Sequence, residues 1–485
     1  MISLLEIAER AYNGPRMGEK EWNLALFRKM QDLTKKFKLA YNGPEMYLNV
    51  DDDYAEAVFN AAIEFLCDQG AYCISTNRVI HFSDNEVRTA VKAAPSKIVI
   101  GSGREARWIQ KRHVEDNRQV NVISGGHCPW PIEYAALTQS AYARVGRGDL
   151  IEGFNFTQVD GYEVHGLPLA VYAARRESAI MREAVRMAGR PGMAITLYPI
   201  LTKAGPLIAP LDQDSGLRRT DGLLLSILPD MKVEADYIAT ALAYEGYGSY
   251  RVNGGCWSII GGFCGGVEGA MIETIAKAIA AWMVYRDVIQ YDASVAGSGR
   301  LSAWQPTKEG RVHAAPAPLW PTYVIHRALA QHSNIIRFGG FGFTSGAGVG
   351  GMGSVAELLS IAKGSILNTI IGSHLRCITP GNPTPYHVEF QVQVSDATVK
   401  AQIKRNDVET ILNMIDNEVH KELHGAQPRD FGDYRMLAYK DFTQYFAPMK
   451  KLYNYSKQKP SSKLLENAQK ASKILRRIGL DLETS

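Results

Sequence analysis

The sequence predicts an α/β protein built on a closed (β/α)8 barrel of the TIM type. Its 485 residues are 46% hydrophobic and 21% charged, values typical of a globular chain and not of a disordered or fibrous one. From Lys97 onward, short β-branched runs end in Gly, Asn or Asp and alternate with helical stretches. Roughly eight such runs predict a parallel sheet with right-handed crossovers. That number favours a closed barrel over an open doubly wound sheet, with the chemistry at the carboxyl ends of the strands.

Residues 1–96 are predicted to form an N-terminal helical elaboration. Residues 21–39 place their apolar side chains on one face of a helix and charged side chains on the other. Residues 51–68 repeat this pattern after an aspartate that can cap the helix. Ser83 begins a third helix with the pattern of a capping box, because Glu86 follows three residues later.

Residues 97–446 are predicted to form the barrel. The candidate strands are 97–103, 120–126, 151–161, 192–199, 223–230, 250–262, 287–297, 335–346 and 366–375. The helices predicted between them include 168–188, 233–244, 268–285 and 355–363.

Residues 447–485 form a separate C-terminal helical extension in this prediction. A break at Pro460 precedes apolar residues at helical spacing, and the opposite face of that helix is basic. Two interpretations stay open for the basic face: an ordinary solvated surface, or a surface that docks an acidic partner.

Charge and cysteine usage exclude several classes of function. The 54 Lys and Arg against 50 Asp and Glu give a net charge of +4, too small for a nucleic-acid-binding surface on a chain of this size. Six cysteines are too few for a disulfide scaffold, and no CxxC pair or zinc spacing occurs, so no directly bound metal is expected. The N-terminus lacks a signal peptide, and no uncharged run is long enough to span a membrane. The sequence predicts a soluble, cytoplasmic protein.

Two stretches, 254–269 and 346–354, are rich in glycine. Each follows a candidate strand, and these two strands are predicted to be neighbours in the barrel. Backbone amides at the start of a helix can bind phosphate. Glycine also occurs where the backbone approaches a large ligand or another chain, or in an ordinary turn. Together the stretches favour a barrel rim that is nearly free of side chains and accepts a broad, flat group such as a planar macrocycle.

Polar residues at predicted strand ends are candidates for the site, although satisfying a buried loop hydrogen bond is the more common fate of any one of them. They are Asp160, Glu163, His165, Thr196, Asn253, Cys256, Asp292 and His374. The pair His127-Cys128 has no third ligand at useful spacing and is interpreted as structural. The segment 160–166 (DGYEVHG) is not the DxHxxG signature of proteins that hold a corrinoid through histidine. A corrinoid used by this protein must therefore be carried by another protein.

Several short motifs carry a family resemblance. They are MAGRPGM at 187–193, GSGR at 101–104, Lys111-Arg112, Gly125-Gly126, GGFCGGVE at 261–268 and Ile478-Gly479-Leu480. In their order along the chain, these motifs resemble those of the cobalamin-dependent monomethylamine methyltransferases of methanogenic archaea, nearly from end to end. The resemblance implies a TIM-type barrel in a homo-oligomer. It also implies a barrel mouth that receives a partner corrinoid protein, with Gly261, Gly262, Gly265, Gly266 and Gly348 at the docking rim.

The chain departs from this family at the substrate site. Family members carry pyrrolysine, a lysine derivative with an electrophilic imine, three positions beyond the GRPGM motif, where this chain has Thr196. Two family glutamates fall approximately at Leu224 and Gly255. A family glutamine falls near Gly340 or Phe341. The resemblance therefore implies a homologue that lacks pyrrolysine and both carboxylates.

This loss predicts a different methyl donor. The hydroxyl of Thr196 cannot capture an amine as an imine does, and burying methylammonium without a carboxylate costs several kcal/mol. Nearby residues that remain are aromatic: Tyr198, Trp257, Phe341 and Phe343. Aromatic faces attract a diffuse cation, which favours a quaternary amine, whose leaving group is a neutral tertiary amine. A methoxy or methylthio donor stays open, as does the interpretation that these rings only fill the space of pyrrolysine.

The predicted function is transfer of a methyl group from a small methylated compound to cobalt(I) of a partner corrinoid protein. Thr196, Asp160 and His165 are the candidate catalytic residues, with Glu163 a further candidate for orienting the polar end of the donor. Asn253, Cys256 and Trp257 are predicted to line one wall, and Thr196 and Tyr198 another. Two alternatives remain: a non-catalytic paralogue that binds a ligand or the corrinoid protein, and a barrel enzyme of unrelated chemistry.

Overall fold

The predicted barrel is confirmed as a closed ring of eight parallel strands in this computed structural model. The strands, β1 to β8 in chain order, are Val122–Ile123, Leu150–Glu152, Ala194–Leu197, Gly222–Leu224, Tyr250–Asn253, Asp287–Tyr291, Ile336–Gly340 and His374–Arg376. Each strand pairs with its successor in the chain, and β8 pairs with β1 to close the ring. This order rules out the open doubly wound sheet.

The structure describes most of the chain. The described residues are 1–41, 50–125, 132–153, 158–164, 166–197, 204–212, 216–254, 257–291, 293, 295–297, 304–306, 312–314, 316–340, 350–377, 384–423 and 449–482.

A helix follows each strand of the barrel. These helices, α1 to α8, are Ile132–Ala143, Leu167–Met187, Ala204–Ile208, Ala235–Glu245, Val267–Tyr285, Pro316–His332, Val355–Ile370 and Pro385–Lys400. The four helices predicted between strands correspond to α2, α4, α5 and α7. Helix α5 is buried along nearly its whole length, because it packs against the N-terminal helices as well as the barrel. Its composition is apolar for that reason.

Two predicted strands were placed wrongly. Residues 97–100 form an antiparallel hairpin with Arg107–Gln110 and not a barrel strand. Residues 366–370 belong to the end of α7, and the strand begins only at His374. Both errors arise because β-branched residues occur in any buried segment, and composition alone does not tell a barrel strand from a hairpin or an interior helix.

The hairpin closes the amino end of the barrel. Ile100 and Ile109 are fully buried and belong to the same apolar cluster as the inward-facing side chains of the strands. Alternate residues of each strand point into the barrel, so one face of every strand contributes to this interior. The amino end is therefore filled, and the loops that follow the strands lie at the opposite, carboxyl end.

The N-terminal helices are Leu4–Asn13, Glu19–Lys36, Asp52–Gln69 and Asp84–Ala93. The second of them buries Trp22, Leu26, Met30 and Leu33, the apolar face that the sequence predicts. Asp51 caps the third helix by accepting the Tyr54 N–H at 2.6 Å. The capping box predicted at Ser83 is also present.

The remaining elements are short or peripheral. Helices follow at Arg405–Glu422 and Ser462–Arg477, with 3-10 turns at Gly103–Glu105 and Pro229–Met231. Small sheets pair Ala71–Cys73 with Arg78–Ile80 and Lys232–Val233, Gln158–Val159 with Tyr162–Glu163, Ser258–Ile260 with Val295–Gly297, Trp304–Pro306 with Val312–Ala314, and Tyr453–Asn454 with Lys459–Pro460. The last helix buries Leu464 and Leu475 and pairs Lys470 with Glu466 on its exposed face. No helix among the described residues is long and apolar enough to cross a membrane. The three-part domain division stays a prediction.

Candidate active site

A group of buried polar side chains in the barrel interior, here called the floor, consists of Thr196, Tyr250, Tyr291, Glu152 and Arg376. Thr196 is the third residue of β3, is fully buried, and its Oγ1 lies 2.7 Å from the Tyr250 hydroxyl. The register places Thr196 opposite Gly222 of β4, and Gly222 opposite Tyr250 of β5. The hydrogen bond therefore passes over Gly222 on the strand between them, and the hydroxyl of Thr196 is already partnered.

Gly222 makes this contact possible. A Cβ atom at this position would lie 2.1 Å from the Tyr250 ring, so only glycine leaves the ring its place. Tyr250 is buried, and burial raises the pKa of its hydroxyl above the ordinary value. The pair of hydroxyls thus supplies neutral hydrogen-bonding groups to the floor.

An ion pair that the sequence analysis missed lies in the same floor. Glu152 ends β2 and Arg376 ends β8, and both are buried. The guanidinium donates from Nε to Oε1 and from Nη2 to Oε2, each at 3.0 Å. The strand prediction ran to residue 161, so it hid Glu152 inside a strand; Gly153, directly after it, was the available signal for the strand end.

Tyr291 connects the ion pair to the hydroxyl pair. The Arg376 guanidinium lies over its ring, 4.7 Å from the centroid. The Tyr291 hydroxyl is buried close to the Thr196 hydroxyl. Burial raises its pKa well above the ordinary value, and the Glu152 charge adds to that shift. The floor thus contains a second buried tyrosine, whose neutral form is favoured, beside the pair of Glu152 and Arg376.

Asn253 and Leu224 lie at the ends of β5 and β4, and Asn253 is committed to the scaffold. Its Oδ1 accepts the Ile227 N–H at 3.0 Å, and its Nδ2 donates to Gln290 Oε1 at 2.5 Å. Leu224 ends β4 and is buried, while Trp257 is half-buried four residues beyond Asn253. Gly340 is the last residue of β7.

Asp160 does not end a barrel strand. It lies in the turn of the exposed hairpin formed by residues 158–159 and 162–163, with a positive φ of 48°. The Tyr172 hydroxyl donates to its carboxylate at 2.5 Å, and Arg176 lies 3.6 Å away. Glu163 is exposed on the same hairpin. Since this hairpin belongs to the loop between β2 and α2, it is at the carboxyl end of the barrel, and the catalytic role of Asp160 stays a prediction.

Several predicted residues lie outside the described residues. They are His165, Tyr198, Gly255, Cys256, Phe341, Phe343 and Gly348, together with Asp292 and the pair His127-Cys128.

The four described glycines of the predicted docking rim lie between β5 and α5. Gly261 and Gly265 have positive φ angles of 83° and 80°, which glycine adopts without strain. The neighbouring side chains Ile259 and Phe263 are 37% and 41% exposed. The two glycine-rich stretches follow β5 and β7, with β6 between them, so they are not on neighbouring strands.

The same loop argues against the phosphate interpretation. Glu268 lies in the first turn of α5 and accepts the Tyr41 N–H at 2.7 Å. A carboxylate already occupies the positive end of that helix, so a second anion is disfavoured there.

His374 is at the amino end and not among the floor residues. It is the first residue of β8, its Nδ1 accepts the Asn121 N–H at 3.0 Å, and its Nε2 lies 2.9 Å from the Gln110 carbonyl. Burial lowers its pKa to about 3. No group of His, Cys, Asp and Glu suited to a metal occurs in the described part of the chain.

The fold defines a parallel (β/α)8 barrel protein, and the floor is its candidate site. The sequence model described as monomethylamine methyltransferase MtmB matches residues 2–298, more than half of the chain. The protein therefore belongs to the monomethylamine methyltransferase MtmB family.

Individual relatives agree with this assignment. Monomethylamine methyltransferases of Methanosarcina acetivorans and Methanosarcina mazei are each 30% identical, over 281 and 280 residues. The aligned part covers 57% of this chain and 60% of each relative's length. The crystal structure of the Methanosarcina barkeri monomethylamine methyltransferase superposes with a TM-score of 0.79, at 22% identity and 98% coverage of both chains. The crystal structure of the hydroxylamine MtmB complex gives the same values. These structures establish the shared fold.

Proposed function

We propose that this protein is a corrinoid-dependent methyltransferase. It moves a methyl group from a small methylated compound to cobalt(I) of a corrinoid that a partner protein carries. The observation that carries the proposal is membership of the MtmB family, with a barrel floor at the place where such chemistry occurs in this fold. Because the match covers 60% of the first relatives' length, activity, donor and partner are all part of the proposal.

The donor is proposed to be a quaternary amine in preference to monomethylamine. Thr196 occupies the place expected of pyrrolysine, and its hydroxyl, bonded to Tyr250, forms no covalent adduct with an amine. A quaternary amine needs no such capture. Its C–N bond breaks with the electron pair leaving on nitrogen as a neutral tertiary amine, while the methyl carbon bonds to the electron pair of cobalt(I).

The residues of this chain supply position and a dry environment. Tyr250, Tyr291 and Phe338 present buried aromatic surface in the barrel, and Trp257 extends it from the end of β5. Aromatic faces stabilise a diffuse cation by about 0.5–2 kcal/mol each. Alignment of donor and acceptor in a site without water is the main contribution expected of the protein.

The partner is proposed to dock at the loop between β5 and α5. Gly261, Gly262, Gly265 and Gly266 keep this loop thin, and Ile259 and Phe263 give it exposed apolar surface. These features suit the close approach of a broad, flat group carried by another protein. The corrinoid supplies cobalt(I) as the methyl acceptor, and this chain is proposed to bind no metal itself. A homo-oligomer also belongs to this proposal.

A donor screen tests the function. The purified protein is mixed with reduced cobalamin and, in separate reactions, quaternary amines, methylamines, methoxy compounds and methylthio compounds, and cobalt methylation is followed by absorbance. The expected result is methylation with a quaternary amine at a higher rate than with monomethylamine. Methylation by monomethylamine alone would refute the donor, and methylation by no donor would favour the non-catalytic alternative.

A matched pair of tryptophan variants separates site from scaffold. We expect Trp257→Ala to lower the rate of cobalt methylation at least about tenfold, the scale of a lost cation–π and packing contact. Trp108→Ala is the control, because Trp108 is 60% exposed on the hairpin at the amino end. Equal loss in both variants would exclude a specific role for Trp257.

A further inference from the structure

The ion pair between Glu152 and Arg376 bears on which donors the floor accepts. Glu152 is 0% exposed and Arg376 is 3% exposed. Both oxygens of the carboxylate accept from the guanidinium at 3.0 Å, in the bidentate geometry that compensates best for loss of water. The floor therefore contains a carboxylate whose charge is balanced by a bidentate guanidinium.

The position of this pair relates it to the proposed donor site. Glu152 lies opposite Thr196 in the register of β2 and β3. The Arg376 guanidinium lies over the Tyr291 ring. Both members end their strands, so they border the space at the carboxyl end where a donor enters.

A small protonated amine would need the negative charge of Glu152, which the Arg376 guanidinium balances. Methylammonium concentrates its charge on N–H groups and loses strong hydration on entry, so it binds well only beside an accepting carboxylate. A quaternary ammonium ion has no N–H and spreads its charge over methyl groups. Aromatic faces then suffice for it.

We propose that Arg376 is a specificity-determining residue that acts through Glu152. By holding that carboxylate in a bidentate pair, Arg376 makes the floor discriminate against small protonated amines and favour quaternary or neutral methyl donors. This inference rests on the proposed function and names the element of the floor that sets its donor class. Removal of the guanidinium uncovers the carboxylate beside Thr196 and admits methylammonium.

The test measures ligand binding to the purified full chain without any corrinoid. Methylammonium and tetramethylammonium are the probes, and calorimetry gives their dissociation constants. The wild-type protein is expected to bind tetramethylammonium at least about tenfold more tightly than methylammonium. This factor corresponds to the cost of burying one N–H group without a hydrogen-bond acceptor. Equal or reversed affinities in the wild type would overturn the proposal without any variant.

Variants then assign the effect to the pair. Arg376→Met keeps the apolar stem and removes the charge, and methylammonium affinity should rise by about tenfold to hundredfold, the range of one charge-assisted hydrogen bond. The double variant Glu152→Gln with Arg376→Met should lose this gain. Arg376→Lys keeps the positive charge and should keep the wild-type preference, which a merely structural role of Arg376 does not predict.

Folding is checked by circular dichroism and thermal unfolding before binding is compared. If Arg376→Met does not fold, Arg376→Gln replaces it and is held to the same comparison with its own double variant. A folded Arg376→Met protein that binds methylammonium no better than the double variant overturns the proposal. Failure of the proposed function is distinguishable, because it leaves cobalt unmethylated by every donor while the binding preferences remain measurable.

Discussion

The two ends of the barrel use the same kinds of residue for different purposes, and strand β8 shows this within three residues. His374 and Arg376 both point into the barrel, one at each end of the strand. His374 is held by two backbone groups, the Asn121 N–H and the Gln110 carbonyl. Arg376 is held by a side chain, Glu152. Backbone partners are fixed by the fold, whereas a side-chain partner can be exchanged by mutation, so the carboxyl end is the end at which specificity can change.

The two ends of the barrel also differ in how they hold a buried acid. Asp287 is the first residue of β6 at the amino end, and neither of its carboxylate oxygens has a hydrogen-bond partner among the described residues. Burial raises its pKa well above the ordinary value, against the opposing effect of Arg251. Glu152 at the carboxyl end is instead paired through both oxygens. The amino end therefore favours a neutral acid, and the carboxyl end keeps a charged pair.

The largest effect is expected for Glu152→Gln. Removing the carboxylate leaves the Arg376 guanidinium buried without its charge partner, and loss of one member of such a pair costs about 3–5 kcal/mol of unfolding free energy. Urea denaturation measures it. Asp287→Asn is the control and should change stability by less than about 1 kcal/mol, since an amide replaces an acid whose neutral form is already favoured. Equal losses in the two variants would contradict the comparison between the ends.

Gly222→Ala is expected to cost up to about 3 kcal/mol, the usual range for overpacking a core. The added methyl group collides with the Tyr250 ring and separates its hydroxyl from Thr196. Thermal unfolding gives the loss. Gly246→Ala is the matched control, because a Cβ there meets nothing within 4 Å and no positive φ is involved. A wild-type melting temperature for Gly222→Ala would show that the ring can move away freely.

His374 should make stability depend on acid pH. Its native pKa is lowered to about 3 by burial, while an unfolded histidine titrates near about 6.5. The unfolded state therefore binds more protons between these values, so this stability is complete above about pH 6.5 and is lost as the pH falls. By pH 5 the loss amounts to about 2 kcal/mol.

The variant His374→Asn isolates this contribution. Its unfolding free energy should fall less than that of the wild type between pH 7 and pH 5, by about 2 kcal/mol. The exposed His420 provides a control, and His420→Asn should follow the wild-type curve. Parallel curves for all three proteins would mean that His374 accepts a proton in the native state.

The smallest effect is expected for the hydroxyl pair. Tyr250→Phe and Thr196→Val each remove one partner of the 2.7 Å hydrogen bond, and a double-mutant cycle should give a coupling energy of about 1 kcal/mol. Urea denaturation of the four proteins measures this coupling. A coupling of zero would indicate that the two hydroxyls have other partners when the donor site is empty.

Much of the fold could be predicted because it depends on local patterns. Helix caps at Asp51 and Ser83 and the buried face of residues 19–36 were read directly from spacing and residue type. The site could be predicted less well. Asp160 follows β-branched residues, as the residue at the end of a barrel strand does. The segment before it instead forms one strand of an exposed hairpin. Glu152 was missed, because an acid two residues into an apolar segment looks no different from an exposed strand residue until its partner is known.

The sequence by itself determined the barrel, its N-terminal helices and the family, since hydrophobic periodicity, caps and ordered motifs are properties of neighbouring residues in the chain. Only the tertiary structure decided which polar groups meet in the floor. Glu152 and Arg376 are 224 residues apart in the chain and come together because β8 and β2 both pair with β1 when the barrel closes. Burial makes this contact important for stability, because two charges removed from water must be paired with each other.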